Sequence, residues 1–184
     1  IQDLKRDGYK AVLLALGLPV SRGLKVPGIE ARDILLALPF LKAANSGQQA
    51  LCKGRNVIVV GGGNVAVDVA RTALRSGAKH VQMVCLESDK EMPAYRWEIE
   101  EAREEGIDIL CSTGPKRIME KNGQLQGLEG VCCVSVFDAQ GKFNPCFREE
   151  QTCLIEGDQI ILAIGQGADL SWAKDNGVAL NARG

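Results

Sequence analysis

Apolar residues in this chain come in short runs, and the runs differ in period. Val57 to Val60 is uninterrupted and β-branched, Val81 to Leu86 is nearly so, and the stretch 158–165 (DQIILAIG) repeats the pattern. Strands of a parallel sheet are buried on both faces and read in this way, without alternation. Tyr9 to Leu16 has the same character, closes at Gly17, and is read as a further buried strand. Between these runs the spacing turns helical. Ala66, Ala70, Ala73 and Leu74 fall on one helix face, with Gly77 placed as the C′ residue. A helix from about 93 to 105 aligns Tyr95, Ile99 and Ala102 and stops at Gly106, and Ile107 to Cys111 is a third strand. The region from about Asp33 to Ala44 is also read as helical. Pro39 lies inside it and divides it into two short pieces, and Asn45-Ser46-Gly47 ends it. After Cys111 the pattern becomes one of hairpins. Strands over 115–120, 125–137 and 147–155 are joined by turns at Asn122-Gly123 and Ala139-Gln140-Gly141, an antiparallel meander beside a parallel sheet.

The join between Val60 and Ala66 carries the chemistry. Gly61-x-Gly63-x-x-Ala66 stands between a buried strand and a helix, where each small residue has a use. The first glycine permits the tight turn, the second lets the backbone approach a pyrophosphate, and the alanine lets helix and strand pack closely. Amides around Asn64 and Val65 then face the phosphates with the helix dipole behind them. The next strand ends on Glu87, 87 − 66 = 21 positions past Ala66, where an acid takes the adenosine ribose hydroxyls. The competing reading is a strand-to-helix turn that binds no nucleotide. The fold class is α/β: a Rossmann-like three-layer dinucleotide-binding domain with an antiparallel β-meander insert.

Composition removes other classes. A net charge of −1 with scattered cations supplies no basic stripe for nucleic acid. The longest apolar stretch, about ten residues around Ala11 to Val20, falls short of the ~20 that span a membrane. No leader pattern opens the chain, so nothing argues export, and the cysteine usage makes the expected location cytoplasmic. Seven cysteines, an odd count without Cys-x-x-Cys, fit reduced, buried thiols rather than disulfides or an iron–sulfur site. The acids at 98, 100, 101, 104 and 105 have no histidine nearby and read as a solvated helix face. His80 reads as a surface residue, and Cys132-Cys133 as strand filling.

One internal echo bears on domain organisation. YKAVLLALG (9–17) and GDQIILAIG (157–165) share a shape and bracket the dinucleotide unit. Either the chain crosses between two domains at both places, or buried parallel strands simply look alike.

Four segments, GYKAVLLALG, VVGGGNVAVDVARTALRSGAKHV, EMPAYRWEIEEAREEGI and GDQIILAIGQ, resemble in order and spacing the glutamate synthase small-subunit family of flavin oxidoreductases. In that family an NAD(P)H-binding domain is inserted into an FAD-binding domain, hydride passes from nicotinamide to flavin, and many members carry N-terminal iron–sulfur clusters. The resemblance implies that residues 1–17 are a stub of a neighbouring FAD-binding domain, 18–164 the NAD(P)H-binding domain, and 165–184 the return stub. FAD and any iron–sulfur cluster would then belong to the full-length parent, and the chain by itself is expected to be colourless and inactive. The expected cofactor-binding residues are Gly61, Gly62, Gly63, Asn64 and Val65 at the turn, and Leu86, Glu87 and Ser88 after the second strand. Ile164 and Gly165, beside Gln166, fall at the nicotinamide end. NADP-dependent relatives usually carry two arginines where Leu86 and Glu87 stand, so NAD(H) is expected over NADP(H). No catalytic side chain and no metal ligand is expected. The expected partners are the FAD-binding domain of the same chain and a larger synthase or electron-acceptor subunit. A dinucleotide-binding module with regulatory work is the other reading. A self-contained dehydrogenase lacks both a substrate domain and a proton donor.

Overall fold

The computed structural model describes residues 1–48 and 50–181, so positions 182–184 of the expected return stub lie outside the described residues. In chain order the elements are helix α1 (Gln2–Arg6), strands β1 (Val20–Ser21) and β2 (Ile34–Leu36), helix α2 (Ala37–Asn45), strand β3 (Asn56–Val60), helix α3 (Asn64–Arg75), strand β4 (His80–Val84), helix α4 (Arg96–Glu104), and strand β5 (Asp108–Leu110). The strands β6 (Thr113–Lys121), β7 (Gln124–Phe137), β8 (Phe143–Glu156), β9 (Gln159–Leu162) and β10 (Gln166–Gly167) follow, with a 3-10 turn at Lys174–Asn176.

Five strands form a parallel sheet in the order β2-β9-β3-β4-β5. Strands β6, β7 and β8 make the antiparallel meander, and β1 pairs antiparallel with β10. Alternate side chains of the parallel strands part into two cores. Val57, Val59, Val81, Met83 and Ile161 pack with Ala66, Val69, Ala70 and Ala73 of α3 and with Ile99 and Ala102 of α4. Ile58, Val60, Val84, Ile160 and Leu162 pack instead with Ile118, Leu125, Leu128 and Ile155 of the meander. Helices, parallel sheet and meander are therefore three layers, which is why the central strands read as unbroken apolar runs. Ile58, Ile160 and Ile161 are fully buried, and each such side chain stabilises the fold by about 1.5–3 kcal/mol.

The helix ends follow from local chemistry. Gly77 has φ +92°, its N–H bonds Leu74 O, and Ala78 N–H bonds Ala73 O, the paired bonds of a glycine-terminated helix. Arg71 and Arg75 of α3 both reach Glu105, and Arg71 also reaches Glu101, which fixes α4 against α3. Asn122 and Gly123, both at positive φ, make the tight β6–β7 turn.

Five sequence expectations are corrected. Tyr9 to Leu16 is not a buried strand but exposed irregular chain, with Leu13 at 91% exposure. A strand needs a neighbour for its backbone bonds, and among the described residues none pairs with this run. The region 33–44 is a short strand followed by one helix, not two helical pieces. Asp33 sits at φ +68°, where a helix cannot pass, and Pro39 falls in the first turn of α2. Helix α4 starts at Arg96 rather than near Pro93, because Tyr95 is extended, at φ −60° and ψ 137°, with its amide and that of Ala94 tied to the glycine turn. Strand β8 starts at Phe143 rather than 147. All seven cysteines are free thiols, but Cys146 and Cys153 are exposed rather than buried, on the solvent-facing strand β8.

Candidate dinucleotide site

The turn between β3 and α3 uses its three glycines for three different reasons. Gly61 has φ +145°, and a Cβ there would lie 2.3 Å from Ala163 O and 3.2 Å from the Ala66 Cβ. Only glycine lets the end of β3 meet the chain leaving β9, and Ala66 is small for the same contact. At Gly62 a Cβ would lie 2.8 Å from a Glu87 carboxylate oxygen and 3.0 Å from the Cys85 Cβ. Gly63, at φ −91° and ψ 174°, has only Pro93 Cγ, 4.0 Å from where its Cβ would stand. The fold does not need glycine at 63, and its bare backbone is open to a ligand.

No side chain caps α3, so its first-turn amides and positive dipole end are left for an anion. Asn64 is a good capping residue by type, but its Oδ1 accepts the Tyr95 N–H at 2.9 Å. Gly62 O accepts the Ala94 N–H at 3.2 Å. These two bonds tie the Met92-Pro93-Ala94 segment to the turn and give that sequence motif a mechanical purpose.

Beyond the carboxyl ends of β3, β4 and β9 lies a cavity of about 820 Å³, within the usual size of cofactor sites, about 300–1,000 Å³. Its walls include Gly61, Gly62, Gly63, Asn64, Val65, Leu86, Glu87, Ile164 and Gly165, nine of the ten residues singled out in the sequence. Ser88 is not among them. Its N–H and hydroxyl both bond the Glu91 carboxylate, which turns it away. Phe143, Pro145 and Phe147 of β8, with Pro115, Leu18, Leu24 and Lys25, also line the wall and were not anticipated. The period of two in Phe-x-Pro-x-Phe is the signal that would have found the β8 residues, since it puts all three on one strand face.

Charge in the cleft is sparse. Glu87 is half-buried, and its carbonyl accepts the Ser112 N–H at 2.8 Å, which anchors the residue. Among the described residues that line the cavity, Lys25 is the cationic one. Arg96 and Arg103 are already engaged. Hydrogen bonds from Arg103 and then Arg96 hold the Asp89 carboxyl below the usual range. Burial pushes the Cys85 thiol far up, so it stays protonated beside the turn. His80 lies at the opposite end of β4 from the cavity and bonds Asp108 at 2.8 Å. Among the described residues no group of three or more His, Cys, Asp or Glu side chains is placed to hold a metal ion, and no helix is long and apolar enough to cross a membrane.

The bare turn, the uncapped helix start and the acid beside Gly62 fit a dinucleotide, and the fold itself recurs in solved structures. The fold matches thioredoxin reductase of T. acidophilum at TM-score 0.65 and 20% identity, over 90% of this chain and 47% of that one. It matches FprA, a Mycobacterium tuberculosis oxidoreductase, at TM-score 0.70 and 16% identity, over 88% of this chain and 51% of that one. The pyridine nucleotide-disulphide oxidoreductase family model matches residues 2–184, and the chain belongs to that family. Among relatives, the NADPH-Fe(3+) oxidoreductase subunit beta of Geobacter sulfurreducens is 36% identical over 96% of this chain. The glutamate synthase [NADPH] small chain of Escherichia coli K12 is 30% identical over all of it, which bears out the resemblance seen in the motifs. The chain spans 27% and 42% of those two relatives' lengths.

Proposed function

We propose that this chain is the NAD(P)H-binding domain of a flavoprotein oxidoreductase and that it presents the nicotinamide for hydride transfer to FAD in a neighbouring domain. The observation that carries this reading is the cleft itself: an open Gly63 backbone at the start of α3, with the Glu87 carboxylate against Gly62. The pyrophosphate lies across Gly61 to Val65, the adenosine ribose bonds Glu87 with Leu86 alongside, and the nicotinamide lies toward Ile164 and Gly165. Hydride chemistry belongs to the two cofactors, and the residues here bind and orient.

The expected domain division, 1–17, 18–164 and 165–184, is supported by the β1–β10 ribbon. Val20 opposes Gly167, Ser21 opposes Gln166, and Arg22 N–H bonds Gly165 O at 2.9 Å, so the chain's way in and way out run side by side. The exposed apolar side chains Tyr9, Leu13, Leu16 and Leu18 give a neighbouring domain something to cover. A partner subunit that accepts electrons fits the relatives, which are named as a beta subunit and a small chain. We place the protein in the cytoplasm, where its seven free thiols remain reduced.

NADH is preferred over NADPH in this reading. The names of several relatives carry NADPH, but the Glu87 carboxylate against Gly62 supports a site that repels a 2′-phosphate. Calorimetric titration of the chain with NADH and NADPH is the test. Binding of NADH is expected, with NADPH weaker, and a chain that ignores both nucleotides refutes the function.

A further inference from the structure

The meander contributes an aromatic face to the cleft. Phe143, Pro145 and Phe147 alternate along β8 and all three line the cavity. Phe143 is 60% exposed and packs edge-to-face on Phe137, whereas Phe147 is half-buried. Phe147 also has a seat made for it. A Cβ on Gly114 would lie 2.5 Å from Phe147 Cε1 and 3.0 Å from Leu86 Cδ2, so glycine at 114 is what lets ring and leucine meet there. The ring atoms nearest Gly114 are Cε1 and Cζ. The contact therefore uses an edge of the ring rather than a face.

This seat is wired to Glu87 by backbone hydrogen bonds. Ser112 N–H bonds Glu87 O, Thr113 N–H bonds Cys85 O, and Cys133 N–H bonds Ser112 O, each at 2.8 Å. Cys133 lies opposite Phe147 in the β7–β8 register. The end of β4, the crossing into β6 and the aromatic strand are thus joined by backbone hydrogen bonds.

We propose that Phe147 is the adenine-recognition residue of the cleft, a face of its ring stacking on the base while its edge rests with Leu86 on Gly114. The inference rests on the reading of Glu87 as the ribose acid. A dinucleotide whose pyrophosphate lies at Gly63 and whose ribose bonds Glu87 runs from α3 across the end of β4. Its base then reaches the β5 edge of the sheet, where the chain passes through residues 112–115. The wall there is made by Leu86, Pro115 and Phe147, with the polar Thr113 between them. An aromatic ring in an apolar wall recognises a base by its π face. Truncating a base-stacking aromatic commonly weakens binding about 5- to 150-fold, depending on how well the ring is buried.

The test compares the unmodified chain with Phe147→Leu and Phe147→Trp, using ADP-ribose as the probe and far-ultraviolet circular dichroism to check the fold. Leucine keeps apolar volume on Gly114 but has no ring face, so F147L should bind ADP-ribose about tenfold more weakly or worse. F147W should retain binding, and its added tryptophan emission should be quenched as ADP-ribose is titrated in. Equal affinity of F147L and the unmodified chain overturns the proposal while leaving the dinucleotide site standing. If F147L fails to fold, the F147W titration decides alone, and tryptophan emission unaltered at saturating ADP-ribose overturns the proposal. An unmodified chain that binds no ADP-ribose overturns both this proposal and the function on which it rests.

Discussion

Replacing Leu86 and Glu87 together by arginine should reverse the order in which the two reduced nucleotides bind. Glu87 is half-buried, its carboxylate faces the glycine turn, and the arginines nearby are committed to Asp89 and Glu100. A 2′-phosphate removes one hydroxyl donor from the ribose and sets negative charge against that carboxylate. Two unit charges ~4 Å apart near a protein surface repel by about 4 kcal/mol at most, and salt and relaxation reduce this. A net of about 2 kcal/mol corresponds to roughly 30-fold in favour of NADH. The double substitution removes that repulsion and adds charge-assisted hydrogen bonds, each contributing about 1.5–3 kcal/mol. The NADH-to-NADPH affinity ratio should therefore move by at least ~100-fold and pass through one. Calorimetry with both nucleotides, on the unmodified and doubly substituted chains, measures the ratio directly. An unmodified chain that binds NADPH as tightly as NADH, or a double variant that keeps the original order, refutes the role given to Glu87.

Gly61→Ala should destabilise the fold by about 3 kcal/mol or more, because its Cβ would meet Ala163 O at 2.3 Å on a strained backbone; a thermal melt little changed from the unmodified chain contradicts this. Hydrogen bonding from Arg71 holds the Glu105 carboxyl below its ordinary value. A carboxylate of this kind contributes stability above its unfolded pKa of about 4.3 and loses it as pH falls through the lower folded value. Glu105→Gln should then lower the melting temperature by about 2–4 °C at pH 7, on about 1 kcal/mol for the pair, and make little difference in strong acid. In native protein at pH 8, iodoacetamide should label the exposed Cys146 and Cys153 first. Cys52 and Cys85 should resist it, since burial pushes the Cys52 thiol to about 11 and Cys85 higher still; early labelling of Cys85, read by mass spectrometry, contradicts its placement.

What the sequence made legible follows from where both faces of an element are buried. Val57 to Val60 touches helices on one side and the meander on the other, so its pattern is unambiguous and the glycine turn after it could be located to the residue. Ile34 to Leu36 is three residues long and runs straight into Leu38, so no period separates strand from helix, and the left-handed turn at Asp33 leaves no mark in residue type. Tyr9 to Leu16 carries a buried strand's composition without a strand's partner among the described residues, and pattern alone cannot tell those apart. Proline inside Phe143 to Phe147 broke the apparent strand, so the aromatic wall of the cleft went unread. Ser88 was carried along by adjacency to Glu87, and only the bonds to Glu91 show it facing elsewhere.

The central claim is that a dinucleotide lies against the backbone at Gly63, and Gly63→Val tests it most directly. The position has open space around it and extended backbone angles that valine adopts readily. The loss of glycine at the helix start costs about 1 kcal/mol, or roughly 2–4 °C in melting temperature. Calorimetric titration with NADH, run beside a thermal melt, should show a folded variant whose affinity has fallen at least ~tenfold. A Gly63→Val chain that binds NADH as tightly as the unmodified one would contradict the account.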